Sequence, residues 1–154
     1  MIKGSSEIEL IKKACRISSQ AIRDIITNSR SFKNEQEIVS FFKRSIMSKN
    51  IEKMAYLPIC SNGRRNSILH YTFNQHPIYK KNLILMDIGC QYQNYCSDIT
   101  RTFPASGKFS PSQKNIYQAV LNCQKKAIQK AIAGYNWRKL EMETRLDIYQ
   151  ELLL

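Results

Sequence analysis

The spacing of apolar residues changes twice along this chain. Over roughly the first fifty residues, and again after about residue 110, apolar positions recur every three or four residues, as they do on one face of a helix. Between Met54 and Phe103 they form short alternating runs broken by Gly, Asn and Pro, which is typical of strands and hairpins. The pattern therefore predicts an α+β protein with helices on either side of a strand-rich segment.

Two helices are predicted before the strands. The first opens at Ser6 with Glu9 three residues later, a capping box in which each side chain satisfies a backbone group of the first turn. The second begins at Asn34, with Glu37 in the same relation. Their predicted buried faces are Ile8, Ile11, Cys15, Ile22 and Ile25 in the first helix, and Ile38, Phe41, Phe42 and Ile46 in the second.

Two further helices are predicted after the strands. Ser110 as cap, Pro111 at the first helical position and Gln113 at the third open one of them, and Gly134 is the expected stop. Its predicted buried face is Ile116, Val120, Ala127 and Ala131. The last helix starts near Trp137 and runs into an apolar Leu-Leu-Leu finish. Because termini are usually surface segments, we expect residues 1–154 to form only part of a domain.

Four strands are predicted in the middle of the chain. They are Met54–Ile59, Ser67–Tyr71, Leu83–Ile88 and Tyr95–Thr102, each an apolar or alternating run bounded by turn-forming residues. We expect the functional chemistry to lie in this segment.

Composition indicates an ordinary globular protein. Hydrophobic residues make up 43% of the sequence and charged residues 23%, and no apolar run approaches the roughly 20 residues that cross a bilayer. The first residues lack a signal-peptide pattern. Five scattered cysteines have no paired metal or redox spacing, which favours reduced thiols. We therefore expect a cytoplasmic protein.

The formal net charge of +12 raises the question of a nucleic-acid partner. The basic residues, however, lie in short pairs scattered along the chain, without a basic stripe or a recognisable nucleic-acid motif. The interpretation is a solvated basic surface, with neither nucleic acid nor membrane as a partner.

Asp87 and Asp98 are the candidate metal ligands. Asp87 follows the apolar run Leu83–Met86, and Asp98 lies eleven positions later. In a bulge-free hairpin with a short loop near Gln91 to Asn94, the two would be directly opposite, with Cβ atoms about 4.5 to 5.5 Å apart. Two poorly solvated carboxylates at that distance favour a cation between them. Hard divalent ions use such oxygen pairs, often as two-metal hydrolytic sites.

Spacing alone does not decide how the two aspartates are neutralised or what role His70 has. The same aspartates would also be satisfied on a surface hairpin by ion pairs with Arg101 or Lys80. His70, in the apolar run Ile68–Tyr71, is either a hydrogen-bonded core residue or a group that donates to a developing oxyanion beside a metal-bound substrate.

Four motifs, in order and at matching spacing, resemble those of aminopeptidase P. They are Asn62–Tyr71, Leu85–Gly89, Ser97–Pro104, and Gly107–Ser110 with Gln113 and Tyr117. The similarity runs from Ile2 to the last residue. It implies the pita-bread metallopeptidase fold, of which this chain would form the first half, a curved and mainly antiparallel sheet with packing helices.

The resemblance also implies a function. Members of the family use two metal ions, usually manganese, and a bridging hydroxide that attacks the bond between an N-terminal residue and a following proline. Asp87 and Asp98 match the first two metal-ligand positions, with Asp98 as the bridging ligand, and His70 matches the histidine that contacts substrate near the scissile bond. The implied partners are proline-containing peptides and either a complementary C-terminal fragment or a second copy.

The sequence also departs from the pattern of the family. Its remaining ligands, one histidine and two glutamates, belong to motifs that would follow residue 154, and His76 lies in a loop that is wrongly placed to replace them. Weak or absent metal binding and no peptidase activity are therefore expected of the isolated chain. The alternatives are a non-catalytic protein-binding module with the same half-fold, and prolidase, which shares the Ser-Asp-Ile-Thr and Gly-Lys-Phe motifs. Methionine aminopeptidase fits less well.

Overall fold

The computed structural model describes residues 2–153 and confirms the α+β class. Its elements in chain order are α1 (Ser5–Thr27), α2 (Glu35–Met47), β1 (Ile59–Asn62), a short 3-10 helix (Gly63–Ser67), β2 (Leu83–Ile88), β3 (Gln91–Tyr92), β4 (Tyr95–Cys96), β5 (Ile99–Pro104), α3 (Pro111–Lys130) and α4 (Trp137–Leu153). The chain divides into two compact units, one up to Lys108 and one from Phe109. None of the described helices is both long enough and apolar enough to span a membrane.

The first unit is built on a three-stranded antiparallel sheet in the order β1-β2-β5. The central strand, β2, has the predicted bounds. Its alternation sends Ile84, Met86 and Ile88 into the core, where they join Ile25 of α1 and Phe42 of α2. Asp87 therefore lies on the opposite, half-buried face of the sheet.

The hairpin register differs from the prediction. Asp87 pairs with Thr100, so the expectation that Asp87 and Asp98 lie directly opposite each other is wrong. The turn is centred on Gln93 and Asn94, whose φ values of 45° and 67° are those of a two-residue hairpin loop, and this moves the register by one residue on each strand. Asp98 consequently lies diagonal to Asp87, two residues before its strand partner.

Three other strand predictions are wrong at their boundaries or altogether. Met54–Ile59 is irregular apart from an isolated bridge between Met54 and Cys90, and the strand itself is β1. Ser67–Tyr71 is not a strand, because Gly63 and His70 have positive φ and the chain between them turns through the 3-10 helix. Tyr95–Thr102 splits into β4 and β5 at Ser97 and Asp98, and β5 continues to Pro104.

The helix starts are predicted better than the buried faces. Asn34 caps α2 by accepting a hydrogen bond from the backbone N–H of Glu37, as expected. In α1 the capping box is wrong, because Glu7 rather than Glu9 reaches back, to the N–H of Gly4. The buried face of α1 is also rotated from the prediction and consists of Ala14, Ser18, Ala21, Ile22 and Ile25. Small residues there let α1 approach the sheet closely.

The second unit consists of α3 and α4. The predicted capping box of Ser110 and Gln113 is confirmed. The buried residues of α3, however, are Ala119 and Cys123, whereas Ile116 and Val120 are exposed. Ten large apolar side chains in the described part of this unit are exposed: Ile116, Val120, Ile128, Ile132, Trp137, Met142, Leu146, Tyr149, Leu152 and Leu153. We call this set the α3–α4 apolar residues.

Candidate metal centre

Asp87 lies in the central strand of the three-stranded sheet. It belongs to β2, where its backbone pairs with Ile59 of β1 on one side and Thr100 of β5 on the other. The buried neighbours Met86 and Ile88 fix the strand against the helices. The carboxylate therefore lies on the half-buried face of the sheet, on a backbone that is paired on both sides.

Asp98 is positioned by its buried neighbour Ser97. The hydroxyls of Ser97 and Ser18 lie 2.7 Å apart, and the backbone N–H of Cys90 donates to the Ser97 hydroxyl at 3.0 Å. The two chain segments also approach very closely, because a Cβ added at Gly89 would lie 1.8 Å from the Ser97 carbonyl oxygen. Only glycine leaves room for this crossing, which fixes Asp98 relative to Asp87.

Tyr56 brings the two carboxylates together. Its hydroxyl oxygen lies 2.5 Å from Oδ1 of Asp87 and 3.1 Å from Oδ1 of Asp98. Burial, and then the bond to Asp87, raise the pKa of Tyr56 well above its usual value, so the phenol stays protonated at neutral pH. A phenol carries one proton and can donate it to only one carboxylate at a time. Two charges thus converge on a single donor.

A bulge in the chain carries Tyr56 to this position. Met54 bridges Cys90 and Ile59 pairs with Asp87, so four residues span the distance that Ile88 and Gly89 span on the facing strand. Bulges commonly re-aim a side chain next to a functional site. Sequence reasoning missed Tyr56, because nothing in the spacing of Met54–Ile59 shows that the segment is bulged rather than paired.

The cations considered as alternative partners are engaged elsewhere. The Arg101 guanidinium donates to the carbonyl of Thr100, and the Lys80 ammonium donates to the carbonyls of Arg30 and Phe32. The interpretation of Asp87 and Asp98 as a surface pair neutralised by Arg101 or Lys80 is therefore not what the structure contains.

His70 lies on a turn and is not hydrogen-bonded to the aspartate pair in the described residues. It occupies an exposed turn after the 3-10 helix, with a φ of 55°, rather than a strand or a core position. In the part of the chain that the structure describes, no hydrogen bond joins its imidazole to Asp87 or Asp98. The structure brings the two aspartates together, and leaves His70 accessible on a separate turn.

The donor set suits a hard divalent cation but is incomplete. Carboxylate oxygens are the ligands that such ions prefer, and the two accepting oxygens face one shared donor. Within residues 2–153, however, there is no group of three or more His, Cys, Asp or Glu residues able to hold a metal ion. The residues present fit part of a metal site.

Comparison with known proteins identifies the family. The model of metallopeptidase family M24 matches residues 9–151, and the chain belongs to that family. It is 39% identical over 152 residues to a probable Xaa-Pro aminopeptidase of Tuber melanosporum, covering 99% of this chain and 33% of the relative. A probable Xaa-Pro aminopeptidase of Metarhizium acridum is 38% identical over 142 residues, covering 92% of this chain and 28% of the relative.

Solved structures of aminopeptidase P superpose closely on this chain. Zinc-substituted Escherichia coli aminopeptidase P in complex with product superposes with a TM-score of 0.93 at 28% identity, covering 98% of this chain and 34% of that one. Pseudomonas aeruginosa aminopeptidase PepP gives 0.89 at 32% identity, covering 98% and 34%. These matches confirm the pita-bread fold. The chain spans about a third of the length of the curated relatives and solved structures that it matches.

Proposed function

We propose that Asp87 and Asp98 are two ligands of a dinuclear manganese centre in an enzyme that removes the N-terminal residue from peptides with proline in second position. The observation that supports this most is the convergence of both carboxylates on the Tyr56 hydroxyl. Membership of family M24 and the Xaa-Pro aminopeptidase names of the relatives supply the reaction class.

The electrostatic balance of the pair favours an added cation. Two oxygens that bond to one hydroxyl at 2.5 and 3.1 Å can be about 5 Å apart, and two unit charges at that distance repel by about 3 kcal/mol at an effective dielectric constant of 20, less where solvent screens the exposed Asp98. One hydrogen bond to a charged group offsets about 1.5 to 3 kcal/mol. The single Tyr56 proton therefore roughly cancels the repulsion at best, and leaves the remaining carboxylate oxygens free to bind a divalent ion.

In this proposal each residue has a distinct role. Asp87 and Asp98 would hold the metal ions, with Asp98 as the shared ligand that the family resemblance implies, while Tyr56 orients both carboxylates by its hydroxyl. Metal ions held there by a complete ligand set would supply a nucleophile by lowering the pKa of bound water. His70, accessible on its turn, donates to substrate near the scissile bond.

The remaining ligands come from outside residues 1–154 in this proposal, which makes these residues one part of a single catalytic domain. The α3–α4 apolar residues are a suitable surface for the complementary segment, because large exposed apolar areas favour association. We further propose a cytoplasmic location, since all five cysteines are unpaired and Cys60, Cys90 and Cys123 are buried as thiols.

The test is a peptidase assay with manganese and a peptide that has proline in second position. Protein that carries this segment together with the missing ligands is expected to release the N-terminal residue, and Asp98→Asn is expected to abolish release. The isolated 154-residue chain is expected to release none. Undiminished turnover of the longer protein in Asp98→Asn would contradict the proposed site, and turnover by the isolated chain that is lost in Asp98→Ala would contradict its incompleteness.

A further inference from the structure

A second buried carboxylate, that of Glu35, lies outside the candidate metal centre. Glu35 is the first residue of α2, and its side chain is fully buried. A buried charge is stable only when it is paired and hydrogen-bonded. The hydrogen-bond partners of Glu35 therefore show which part of the chain it stabilises.

Within residues 2–153, four groups donate to this carboxylate, and all of them belong to one segment, residues 62–76. Oε1 accepts from the backbone N–H of Asn62 and from Nε of Arg65, both at 3.1 Å. Oε2 accepts from the Tyr71 hydroxyl at 2.8 Å and from the backbone N–H of His76 at 3.1 Å. Both ends of the segment and two points within it are thus tied to one side chain of α2.

The bonds to Glu35 are strong ones. Arg65 forms an ion pair with the buried oxygen, and the carbonyl of His76 accepts in return from the Glu35 N–H at 3.0 Å. Burial, followed by the bond to Glu35, raises the pKa of Tyr71 to about 12, so Tyr71 remains a donor throughout the physiological range. The His76 ring stacks on Tyr71 with ring centres 6.4 Å apart, which closes the cluster.

His70 lies inside this segment, directly before Tyr71. Its φ of 55° is a conformation that non-glycine residues adopt only when their surroundings impose it. Its own side chain is exposed, so the support has to come from the neighbouring residues. Tyr71, buried and bonded to Glu35, is the nearest such anchor.

We propose that Glu35 is a positioning residue that sets the orientation of His70, by binding both ends and the middle of the 62–76 segment to α2. The inference rests on the proposed function only for the role given to His70 toward substrate. The anchoring itself is a property of this chain and can be tested without metal or substrate.

The experiment compares Glu35→Gln, Tyr71→Phe and the control Glu37→Gln by NMR on the intact chain. Glu37 is on the same helix, and within residues 2–153 its carboxylate bonds to Lys33 and Asn34, four and three positions earlier, and not to the 62–76 segment. The readouts are amide hydrogen exchange and the imidazole signals of His70, assigned with a His70→Gln variant. The chain has two histidines, so the imidazole signals that remain in His70→Gln are those of His76.

Glu35→Gln and Tyr71→Phe are expected to speed exchange at Asn62 and His76 by about tenfold or more, as the loss of a hydrogen bond to a buried charge predicts. The His70 imidazole signals should move toward those of an unstructured peptide, while exchange in β2 and β5 stays within about twofold of the unmodified chain. Tyr71→Phe removes only one donor and keeps the ring, so it tests the inference even if Glu35→Gln fails to fold.

Unchanged His70 signals in a folded Tyr71→Phe variant would overturn the inference. So would exchange that rises equally in β2 and β5, because Glu35 would then support the fold as a whole rather than this segment. Neither result would bear on metal binding by Asp87 and Asp98, so the proposed function and this inference can fail separately.

Discussion

The hydroxyls of Ser18 and Ser97 lie 2.7 Å apart, which joins the buried face of α1 to the residue that precedes Asp98. Both side chains are buried, and both accept from the backbone N–H of Cys90. The contact links a packing helix to one carboxylate of the candidate metal centre. Its loss should therefore affect both stability and the position of Asp98.

Replacement of Ser18 by alanine is expected to lower the free energy of unfolding by about 1 to 2 kcal/mol, because the buried Ser97 hydroxyl and the Cys90 N–H each lose one hydrogen-bond partner. Urea denaturation measures the change. Ser19→Ala, at the half-buried neighbouring position of the same helix, is the control and should stay within about 0.5 kcal/mol. Equal effects of the two substitutions would show that the bond between Ser18 and Ser97 contributes little.

Gly89→Ala is expected to destabilise the chain and to move Asp98. The added methyl group would lie 1.8 Å from the Ser97 carbonyl oxygen, so one of the two segments must shift, at a cost of about 1 to 3 kcal/mol or more. The backbone amide shifts of Ser97 and Asp98 report the movement. Gly4→Ala is the control, since its nearest contact would be Glu7 Oε2 at an ordinary 3.5 Å. A Gly89→Ala variant with native stability and native shifts would refute the close crossing.

The raised pKa of Tyr71 predicts a loss of stability at alkaline pH. Its pKa is about 12 in the folded chain and about 10 when unfolded, so its contribution is complete below pH 10 and disappears as the pH rises toward 12. Urea unfolding at about pH 9 and about pH 11 should show a smaller decline for Tyr71→Phe than for the unmodified chain. Tyr79→Phe, at an exposed position, should keep the unmodified decline. Identical declines in all three proteins would be inconsistent with a buried, hydrogen-bonded Tyr71.

The α3–α4 apolar residues predict association of the isolated chain, with itself or with a complementary fragment. Burial of a few hundred Å² of apolar surface contributes several kcal/mol at about 25 cal/mol/Å² before the cost of association. The net charge of +12 opposes self-association and favours an acidic partner. Light scattering across dilution and salt series measures this, with Leu146→Gln expected to weaken association. A monomer at high concentration in moderate salt would show that the chain needs no partner.

How much could be predicted from the sequence depends on how local the responsible interactions are. The caps at Asn34 and Ser110 and the strand Leu83–Ile88 depend on adjacent residues or on simple alternation, and the structure confirms them. The hairpin register depends on which residues of the loop adopt positive φ, and a shift of one residue on each strand displaced the predicted Asp87 pairing.

The parts that could not be predicted depend on contacts between distant residues. Tyr56 reaches Asp87 and Asp98 across 31 and 42 positions of the sequence, from a bulge that no local pattern indicates. In the sequence, Glu35 looks like an ordinary acidic residue in the first turn of α2. The four groups that donate hydrogen bonds to it lie 27 to 41 positions away along the chain. The exposed faces of α3 were misjudged because helical periodicity identifies an apolar face without identifying what covers it.

A manganese titration of the isolated chain, followed by calorimetry, tests most directly whether Asp87 and Asp98 form part of a metal site. We expect at most one ion to bind, with a dissociation constant of about 0.1 to 1 mM, as for weak carboxylate sites. Binding should be lost in Asp87→Ala and in Asp98→Asn, and retained in Asp24→Asn, which removes a half-buried carboxylate of α1 that bonds to Gln20. Tight binding of two ions per chain, or binding that survives the loss of both Asp87 and Asp98, would contradict the proposed site.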